Sequence, residues 1–176
     1  MLNMNLELKN RIDRFVDDCR AAGIKATHQR MEIFRELAST TAHPDAETIY
    51  ERVRQRVPAI SLDTVYRNLR TLEQHGMIRN VSTTDHRSRF DADMRAHHHF
   101  VCTECGRIQD FQSEHLDAFV PPQDVTRMGD VTARRFELLG VCRGCQECDI
   151  RHRAGVAKKR RNKQKGESER CLQLTI

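Results

Sequence analysis

Apolar residues recur every three or four positions in the first part of the chain, a spacing that predicts amphipathic helices. The first stripe, which Gly23 should end, consists of Leu8, Ile12, Phe15, Val16 and Cys19. Thr27 is a suitable N-cap for a second helix, whose inward positions are Met31, Phe34, Leu37 and Ala38. A third helix is expected to carry Pro44 in its first turn and to end before Pro58, with an apolar stripe of Ile49, Tyr50, Val53 and Val57.

A fourth stripe begins after Ser61, another good N-cap, and continues to Gly76. Its apolar face comprises Leu62, Val65, Leu69 and Leu72, and its polar face comprises Thr64, Arg67, Thr71 and Gln74. Two short strands are expected next, at 77–81 and 89–91, with a polar loop between them. This order of helices and strands is typical of a winged helix-turn-helix. Residues 1–91 are therefore predicted to form a DNA-binding domain.

The polar face of the fourth helix, with Tyr66 and Asn68 on its borders, supplies the candidate DNA contacts. In a major groove, Arg67 and Asn68 can bond base edges or phosphates, and Tyr66 can contact a thymine methyl group or a phosphate. The remaining candidates are Ser61 and Thr64 at the start of the helix and Arg87 in the expected wing. Because most polar helix faces are only solvated, this prediction depends on the winged-helix context.

The second half of the chain predicts a smaller mixed unit at residues 92–149. Strands are expected at 97–102, 107–111 and 134–141, with a short helix at 113–120. The fold class is therefore α+β, in which a winged helix-turn-helix domain precedes a small C-terminal α/β domain.

Two C-x-x-C pairs, Cys102/Cys105 and Cys142/Cys145, lie in this second unit. A short chelate loop directs two thiolates at one ion, and two such loops complete the tetrahedral sulfur site that structural zinc prefers. The alternatives are four reduced thiols or two disulfides, and the matched spacing favours zinc over both. A zinc enzyme is disfavoured because four cysteine ligands leave no open position for water and no H-x-E pairing supplies a general base.

The excess positive charge of the chain lies in its C-terminal tail. The net charge of +5 is uneven: residues 1–90 carry +3, residues 91–150 carry −5 and residues 151–176 carry +7. The segment 150–176 is predicted to be a disordered basic extension that attracts phosphates without specificity.

The sequence shows no signal peptide and no apolar run near the ~20 residues of a membrane helix, so we expect a cytoplasmic protein without a membrane partner. In that reducing compartment Cys19, Cys148 and Cys171 should not form disulfides.

Four segments resemble the ferric uptake regulator (Fur) family: T-H-Q-R at 27–30, A-H-P-D-A-E-T-I-Y at 42–50, S-L-D-T-V-Y-R-N-L at 61–69 and H-H-H-F-V-C-T-E-C-G at 97–106. The similarity spans about residues 8–145. It implies a homodimer, joined by its C-terminal zinc-containing domain, that binds a pseudo-palindromic DNA operator when a regulatory metal is present. Arg30 matches a DNA-contacting arginine of the family, whereas His28 stands where the family usually has proline.

The resemblance also implies a regulatory metal site formed by His43, Asp91, His97, His99 and Asp110. Strand alternation agrees with this set, because His97 and His99 project to one side of a strand and His98 projects to the other. Imidazole and carboxylate donors suit iron(II), manganese(II) or zinc. An ion held by all five residues would fix the angle between the two domains, and its loss would free that angle.

The acidic residue at position 91 indicates which stimulus the regulator senses. Aspartate there resembles the peroxide-sensing members of the family, whereas iron-sensing members tend to carry glutamate. In such sensors iron(II) reduces peroxide and a neighbouring imidazole is oxidised, and His43 and His97 are the matching oxidation-sensitive residues. Manganese(II) supports DNA binding there but reacts sluggishly with peroxide.

A further metal site used in the family is interrupted in this chain. Ala96 and Arg134 stand where ligands would be expected, which leaves His98 and Asp117 as remnants. We therefore expect two metal sites in each subunit.

The sequence thus predicts a repressor, not an enzyme, that senses hydrogen peroxide through iron-catalysed oxidation of histidine ligands. An iron- or zinc-level-sensing repressor of the same family is the alternative, and a peroxide test after replacement of Asp91 by glutamate would help to separate the two. A disulfide switch through Cys148 or Cys171 is a further alternative, which predicts a disulfide as the first oxidation product.

Overall fold

The computed structural model describes residues 2–81 and 88–148. The predictions for Arg87, for Cys171 and for the tail 150–176 lie outside the described residues. Within the described part, no helix combines the length and the apolar character that a membrane crossing requires.

Four helices form the first part of the molecule: α1 (Leu2–Ala21), α2 (His28–Ala38), α3 (Ala46–Val53) and α4 (Leu62–Gln74). The predicted caps of α2 and α4 are confirmed. The Thr27 hydroxyl accepts the Arg30 N–H at 3.4 Å, and the Ser61 hydroxyl accepts the Thr64 N–H at 3.1 Å. Gly23 follows α1 with a φ of 69°, the left-handed conformation that favours glycine after a helix.

The prediction for the third helix was wrong at both ends. Asp45 is the N-cap of α3 and accepts the Thr48 N–H at 2.9 Å, so the helix begins beyond Pro44. It ends at Val53, and Val57 lies past it. The shift has a functional consequence, because it leaves Pro44 and the preceding histidine in a loop.

These helices enclose one apolar core, in which most of the side chains that were predicted to face inward meet, together with Ile33, which the predicted stripe of the second helix did not include. Residues at most 2% exposed include Phe15, Cys19, Ile33, Leu37, Ile49, Val53, Val65, Leu69 and Leu72. A partly buried ionic network borders one side of the core, since Arg56 donates to the carboxylates of Glu32 at 2.6 Å and Glu36 at 3.0 Å. The network joins α2 to the turn that follows α3.

Two sheets follow the helices. β1 (Arg79–Val81) pairs antiparallel with β2 (Arg89–Asp91), in the position expected of a wing. The second sheet has the order β4-β3-β5, in which β3 (His98–Cys102) is antiparallel to β4 (Ile108–Phe111) and parallel to β5 (Glu137–Gly140).

The short helices α5 (Glu114–Asp117) and α6 (Gln123–Thr126) lie in the connection between β4 and β5. The sequence predicted α5 as a longer helix and did not predict α6. The α+β fold with a winged helix before a small mixed unit is confirmed.

Arg11 attaches the connection between the two sheets to the helical part. Its guanidinium donates to the Ala38 carbonyl at 2.7 Å and to the Ala92 carbonyl at 3.0 Å. Because Ala92 directly follows β2, the connection is anchored at the point where the sequence predicts the domain boundary. That boundary remains a prediction.

Candidate metal centres

The four cysteines of the two C-x-x-C pairs meet at one end of the β3–β5 pair. Cys102 ends β3, and Cys142 follows β5 by two residues. The sulfur of Cys102 lies 3.9 Å from that of Cys145, and the sulfur of Cys105 lies 3.8 Å from that of Cys142. All four sulfur atoms lie within 4.8 Å of one another.

These separations fit a tetrahedral zinc site. Zinc–sulfur bonds of about 2.3 Å place sulfur atoms roughly 3.8 Å apart, whereas a disulfide needs about 2.05 Å. Backbone N–H groups, first that of Cys142 at 3.3 Å, lower the pKa of the Cys102 thiol to about 6. The thiolate form is therefore favoured at Cys102. All six cysteines within the described ranges are free thiols.

Three histidines and an aspartate converge between the two sheets. His43 comes from the loop before α3, Asp91 from the end of β2, His97 from the residue before β3, and His99 from β3 itself. One ligand atom of each lies within 4.8 Å of every other, and all four residues are buried. The structure thus brings together four of the five residues that the family resemblance implied.

The imidazole Nε2 atoms point at one another. His97 Nε2 lies 3.0 Å from His99 Nε2 and 3.1 Å from Asp91 Oδ2. The fifth residue, Asp110, lies at the edge of this group, with Oδ1 3.1 Å from His43 Nε2 and 3.5 Å from His99 Nε2. Its side chain is 27% exposed, so it lies on the side of the cluster that solvent reaches.

The chemistry of the cluster fits a divalent metal ion. Neither nitrogen of His43 has a hydrogen-bond partner, although Nε2 approaches Asp110, and Asp91 Oδ2 has none either. Burial, aided by the His43 imidazole, lowers the pKa of His99 to about 4, which keeps this ring neutral at pH 7 with a lone pair available. Buried imidazoles beside carboxylates are the donor set of iron(II), manganese(II) or zinc.

Backbone groups orient two of these ligands. His97 Nδ1 lies 3.0 Å from the Arg95 carbonyl, so Nδ1 carries the proton and the Nε2 lone pair faces the cluster. The Asp93 N–H donates to Asp91 Oδ1 at 2.7 Å, which leaves Oδ2 directed at His97. Both ligands are therefore held for coordination by contacts from the connecting segment.

His43 reaches the cluster through an uncommon backbone conformation. Its φ is 48°, and it is the one non-glycine residue of the described ranges with a positive φ. The loop is held in place because the Phe90 N–H donates to the Pro44 carbonyl at 3.1 Å, next to Asp91 on β2. Such conformations persist only where the surrounding structure enforces them, and they are frequent at functional sites.

The expected remnants of a further site form a separate pair. His98 faces away from the cluster, and its Nε2 lies 3.3 Å from Asp117 Oδ1. Arg134 donates to the backbone carbonyls of Asp117 and Phe119. A guanidinium therefore lies where the family resemblance expected a ligand.

The candidate DNA contacts start with Arg30, which is oriented by a residue that the sequence assigned to base contact. Asn68 is 9% exposed, and its carbonyl accepts the Arg30 Nε–H at 3.1 Å while its amide donates to the Thr64 carbonyl at 2.8 Å. Arg30 also donates to the Lys25 carbonyl. Helical periodicity placed Asn68 on the border between two faces and gave no signal for this internal role.

The other candidates on α4 lie at the surface. The Tyr66 hydroxyl donates to Glu47 at 2.7 Å, Arg67 pairs with Asp63 at 3.1 Å, and the hydroxyls of Ser61 and Thr64 are 2.9 Å apart. Exposed contacts of this kind are weak and can be exchanged for contacts to DNA. The DNA role of these residues remains a prediction.

Fold and sites together define a class of protein. A helix-turn-helix with a wing precedes a small sheet, and one donor cluster lies within that sheet while a second joins it to the wing. This is the organisation of a metal-dependent DNA-binding regulator.

Comparison with known proteins identifies the family. The ferric uptake regulator family matches residues 21–128. The peroxide-responsive repressor PerR of Staphylococcus epidermidis is 37% identical over 148 residues, which cover 82% of this chain and 98% of PerR. The Helicobacter pylori ferric uptake regulator, with three functional metal-binding sites, superimposes with a TM-score of 0.65 at 25% identity, over 79% of this chain and 93% of that chain. The Campylobacter jejuni peroxide stress regulator superimposes with a TM-score of 0.56 at 26% identity, over 66% of this chain and 88% of that chain.

The chain belongs to the ferric uptake regulator family. Membership makes it a dimeric, metal-dependent DNA-binding repressor and not an enzyme.

Proposed function

We propose that the protein is a cytoplasmic repressor that releases its operator when hydrogen peroxide oxidises His43 or His97. The observation that carries the proposal is the convergence of these two histidines with His99 and Asp91 between the wing and the second sheet. The similarity to PerR, a peroxide-responsive repressor, and the aspartate at position 91 support peroxide as the signal.

Two metals are proposed. Zinc would be held by Cys102, Cys105, Cys142 and Cys145, where it joins the ends of β3 and β5. Iron(II) or manganese(II) would be held by His43, Asp91, His97, His99 and Asp110. The sulfur separations support the first assignment, and the buried nitrogen and oxygen donors support the second.

When bound, iron(II) would supply one electron to cleave the peroxide O–O bond and would regain an electron from the imidazole as the ring is oxidised, chemistry that manganese(II) does not readily support. The chain supplies the target: His97 presents Nε2 because its Nδ1–H is held by the Arg95 carbonyl, and His43 is buried at 2% exposure with no hydrogen-bond partner. The net change is the insertion of one peroxide oxygen into an imidazole ring, with water as the other product. An oxidised ring is a poor ligand, so the His43 loop and the second sheet separate.

The DNA part of the proposal is a homodimer on a pseudo-palindromic operator, contacted through Arg30, Ser61, Thr64, Tyr66, Arg67 and Arg87, with Asn68 orienting Arg30. Two α4 helices related by a two-fold axis can bind the two half-sites of an operator only when the distance between the helices matches the spacing of the half-sites. A change in the angle between the domains therefore changes affinity without any change in the contacting residues.

The test compares iron-loaded with manganese-loaded protein on an operator selected from random DNA duplexes by the manganese-loaded form. Each form is treated with equimolar peroxide, and peptides that contain His43 and His97 are weighed after trypsin digestion. Release from the iron form alone, with one added oxygen on either histidine, is the expected result. Release without oxidation of either histidine would contradict the proposed mechanism.

The alternative is a sensor of metal level. The similarity to the Helicobacter pylori regulator and to a zinc-bound manganese uptake regulator, at 29% identity and a TM-score of 0.56, favours this candidate. It predicts that both metal-loaded forms keep the operator in peroxide and that only a chelator releases it.

A further inference from the structure

A buried arginine lies against the carboxylate of the proposed regulatory site. Arg79 on β1 is the register partner of Asp91 on β2, and its Nε lies 3.6 Å from Asp91 Oδ2. Its side chain is 10% exposed. Its Nη2 donates to the Arg95 carbonyl at 3.2 Å, the same oxygen that orients His97. The guanidinium is thus fixed between one ligand and the backbone group that positions another.

Arg79 and His97 face the same oxygen atom. Asp91 Oδ1 is occupied by the Asp93 N–H, whereas Oδ2 is 3.1 Å from His97 Nε2 and 3.6 Å from Arg79 Nε. A guanidinium keeps its positive charge at any physiological pH. An ion that binds Oδ2 would therefore lie a few ångströms from a permanent cation, in a place where little water screens the repulsion.

We propose that Arg79 is an internal counter-cation that weakens metal binding at the regulatory site. It neutralises Asp91 when no ion is bound, and an ion must compete with it for Oδ2. The inference rests on the proposed function, because it takes the histidine–aspartate cluster to be the regulatory metal site. It assigns to β1 of the wing a control over how readily the ion enters and leaves.

A matched control is available two residues before His97. Arg95 carries the same charge, but its side chain is 74% exposed and is paired with Asp93 at 2.5 Å. Solvent and the Asp93 partner screen its charge from the cluster. Replacement of Arg95 by glutamine therefore removes one positive charge near the site without removing the buried one.

The experiment measures the dissociation constant of manganese(II) by competition with a chelating dye, in zinc-replete dimer of the full chain. Arg79→Gln is expected to bind about tenfold more tightly or better, because a buried charge at this range is worth at least one decade in affinity. Arg79→Lys keeps the charge and should stay within about threefold of the natural protein, and Arg95→Gln within about twofold.

The sign of the change separates a charge effect from a structural role. If Arg79 only held Asp91 in place, Arg79→Gln would bind manganese more weakly, and an unchanged or weaker affinity in a folded dimer with full zinc content overturns the inference. If the glutamine variant does not fold, Arg79→Met, which fills similar space without a charge, takes its place, and an affinity no tighter than that of the natural protein overturns the inference. A large loss of affinity in Arg79→Lys also overturns it, because the guanidinium geometry would then matter rather than the charge. A His99→Ala variant with unchanged manganese affinity would instead overturn the regulatory site itself, whatever Arg79 does.

Discussion

The two donor clusters of this chain differ in where their ligands come from. The four cysteines lie at or just beyond the ends of two neighbouring strands, β3 and β5, and form two short chelate loops at one end of one small sheet. The histidine–aspartate cluster takes its donors from the loop before α3, from the end of β2, and from β3 with its preceding residue, with Asp110 of β4 beside them. One cluster is local in structure, and the other joins the DNA-binding part to the second sheet.

The difference teaches which cluster can act as a switch. An ion in the cysteine cluster would be needed wherever the sheet is needed, because it would connect the turn after β3 to the helical segment 143–148 after β5. We expect that an ion bound in the histidine–aspartate cluster would be able to leave while both folded parts remain intact. The first should therefore behave as part of the fold, and the second as a reversible connection between two folded parts.

The largest effect is expected from Cys142→Ser. Structural zinc contributes directly to folding free energy, so the loss of one ligand should abolish zinc binding and with it the dimer. Zinc analysis and size-exclusion chromatography test this. Cys148→Ser is the control, since Cys148 is exposed and stands outside the cluster. An intact, folded Cys142→Ser dimer would remove the contrast between the two clusters.

His99→Ala should leave zinc content and thermal unfolding nearly unchanged but reduce manganese affinity by about a hundredfold or more, since even outer-shell changes cost 10–100-fold. Operator binding should then no longer respond to manganese. Equilibrium dialysis and fluorescence anisotropy on a labelled operator measure the two effects. The control is His115→Ala, an exposed histidine on α5. Unfolding of His99→Ala in the zinc-loaded state would show that this cluster is also part of the fold.

A smaller effect is expected at the DNA face. Arg30→Ala should weaken operator binding by about 1–2 kcal/mol and lower the salt dependence by about one counterion. Asn68→Ala should produce part of the same loss, because it releases the Arg30 side chain. The double variant should then cost less than the sum of the two. Additive losses would mean that Asn68 contacts DNA on its own.

The smallest effect is expected at the cap of α3. Asp45→Ala should lower the free energy of unfolding by about 1 kcal/mol, a few degrees in Tm, through loss of the bond to the Thr48 N–H. Asp45→Asn keeps an acceptor and should lose less. Thermal unfolding of the two variants measures the difference. Equal losses would assign the stabilisation to the charge of Asp45 and not to the cap.

Local features of this fold could be predicted from the sequence, whereas side-chain partners across the fold could not. Thr27 and Ser61 were recognisable as caps because a cap needs only its own residue type and the helix that follows. The start of α3 was missed because Pro44 and Asp45 both suit a helix start. The hydrogen bond from the Phe90 N–H to the Pro44 carbonyl keeps Pro44 in the loop, and its donor lies far along the chain. Arg30, which Asn68 orients, lies 38 positions away along the chain, and the partners of Arg79 lie 12–16 positions away, beyond the reach of any periodicity.

The metal site shows the same limit. Strand alternation placed His97 and His99 on one side, but only the family resemblance added His43, Asp91 and Asp110. No pattern along the chain relates a loop before α3 to the end of a wing.

The bond between the Phe90 N–H and the Pro44 carbonyl has a mechanical consequence. It holds together His43 and Asp91, the two ligands that the DNA-binding part contributes to the proposed metal site, while His97, His99 and Asp110 come from the second sheet and the residue before it. Loss of His43 as a ligand would leave the DNA-binding part attached to the ion through Asp91 alone, and that part could then pivot about Asp91. Loss of His97 would leave two ligands on each side of the site. The same oxidation should therefore loosen the molecule more when it strikes His43 than when it strikes His97.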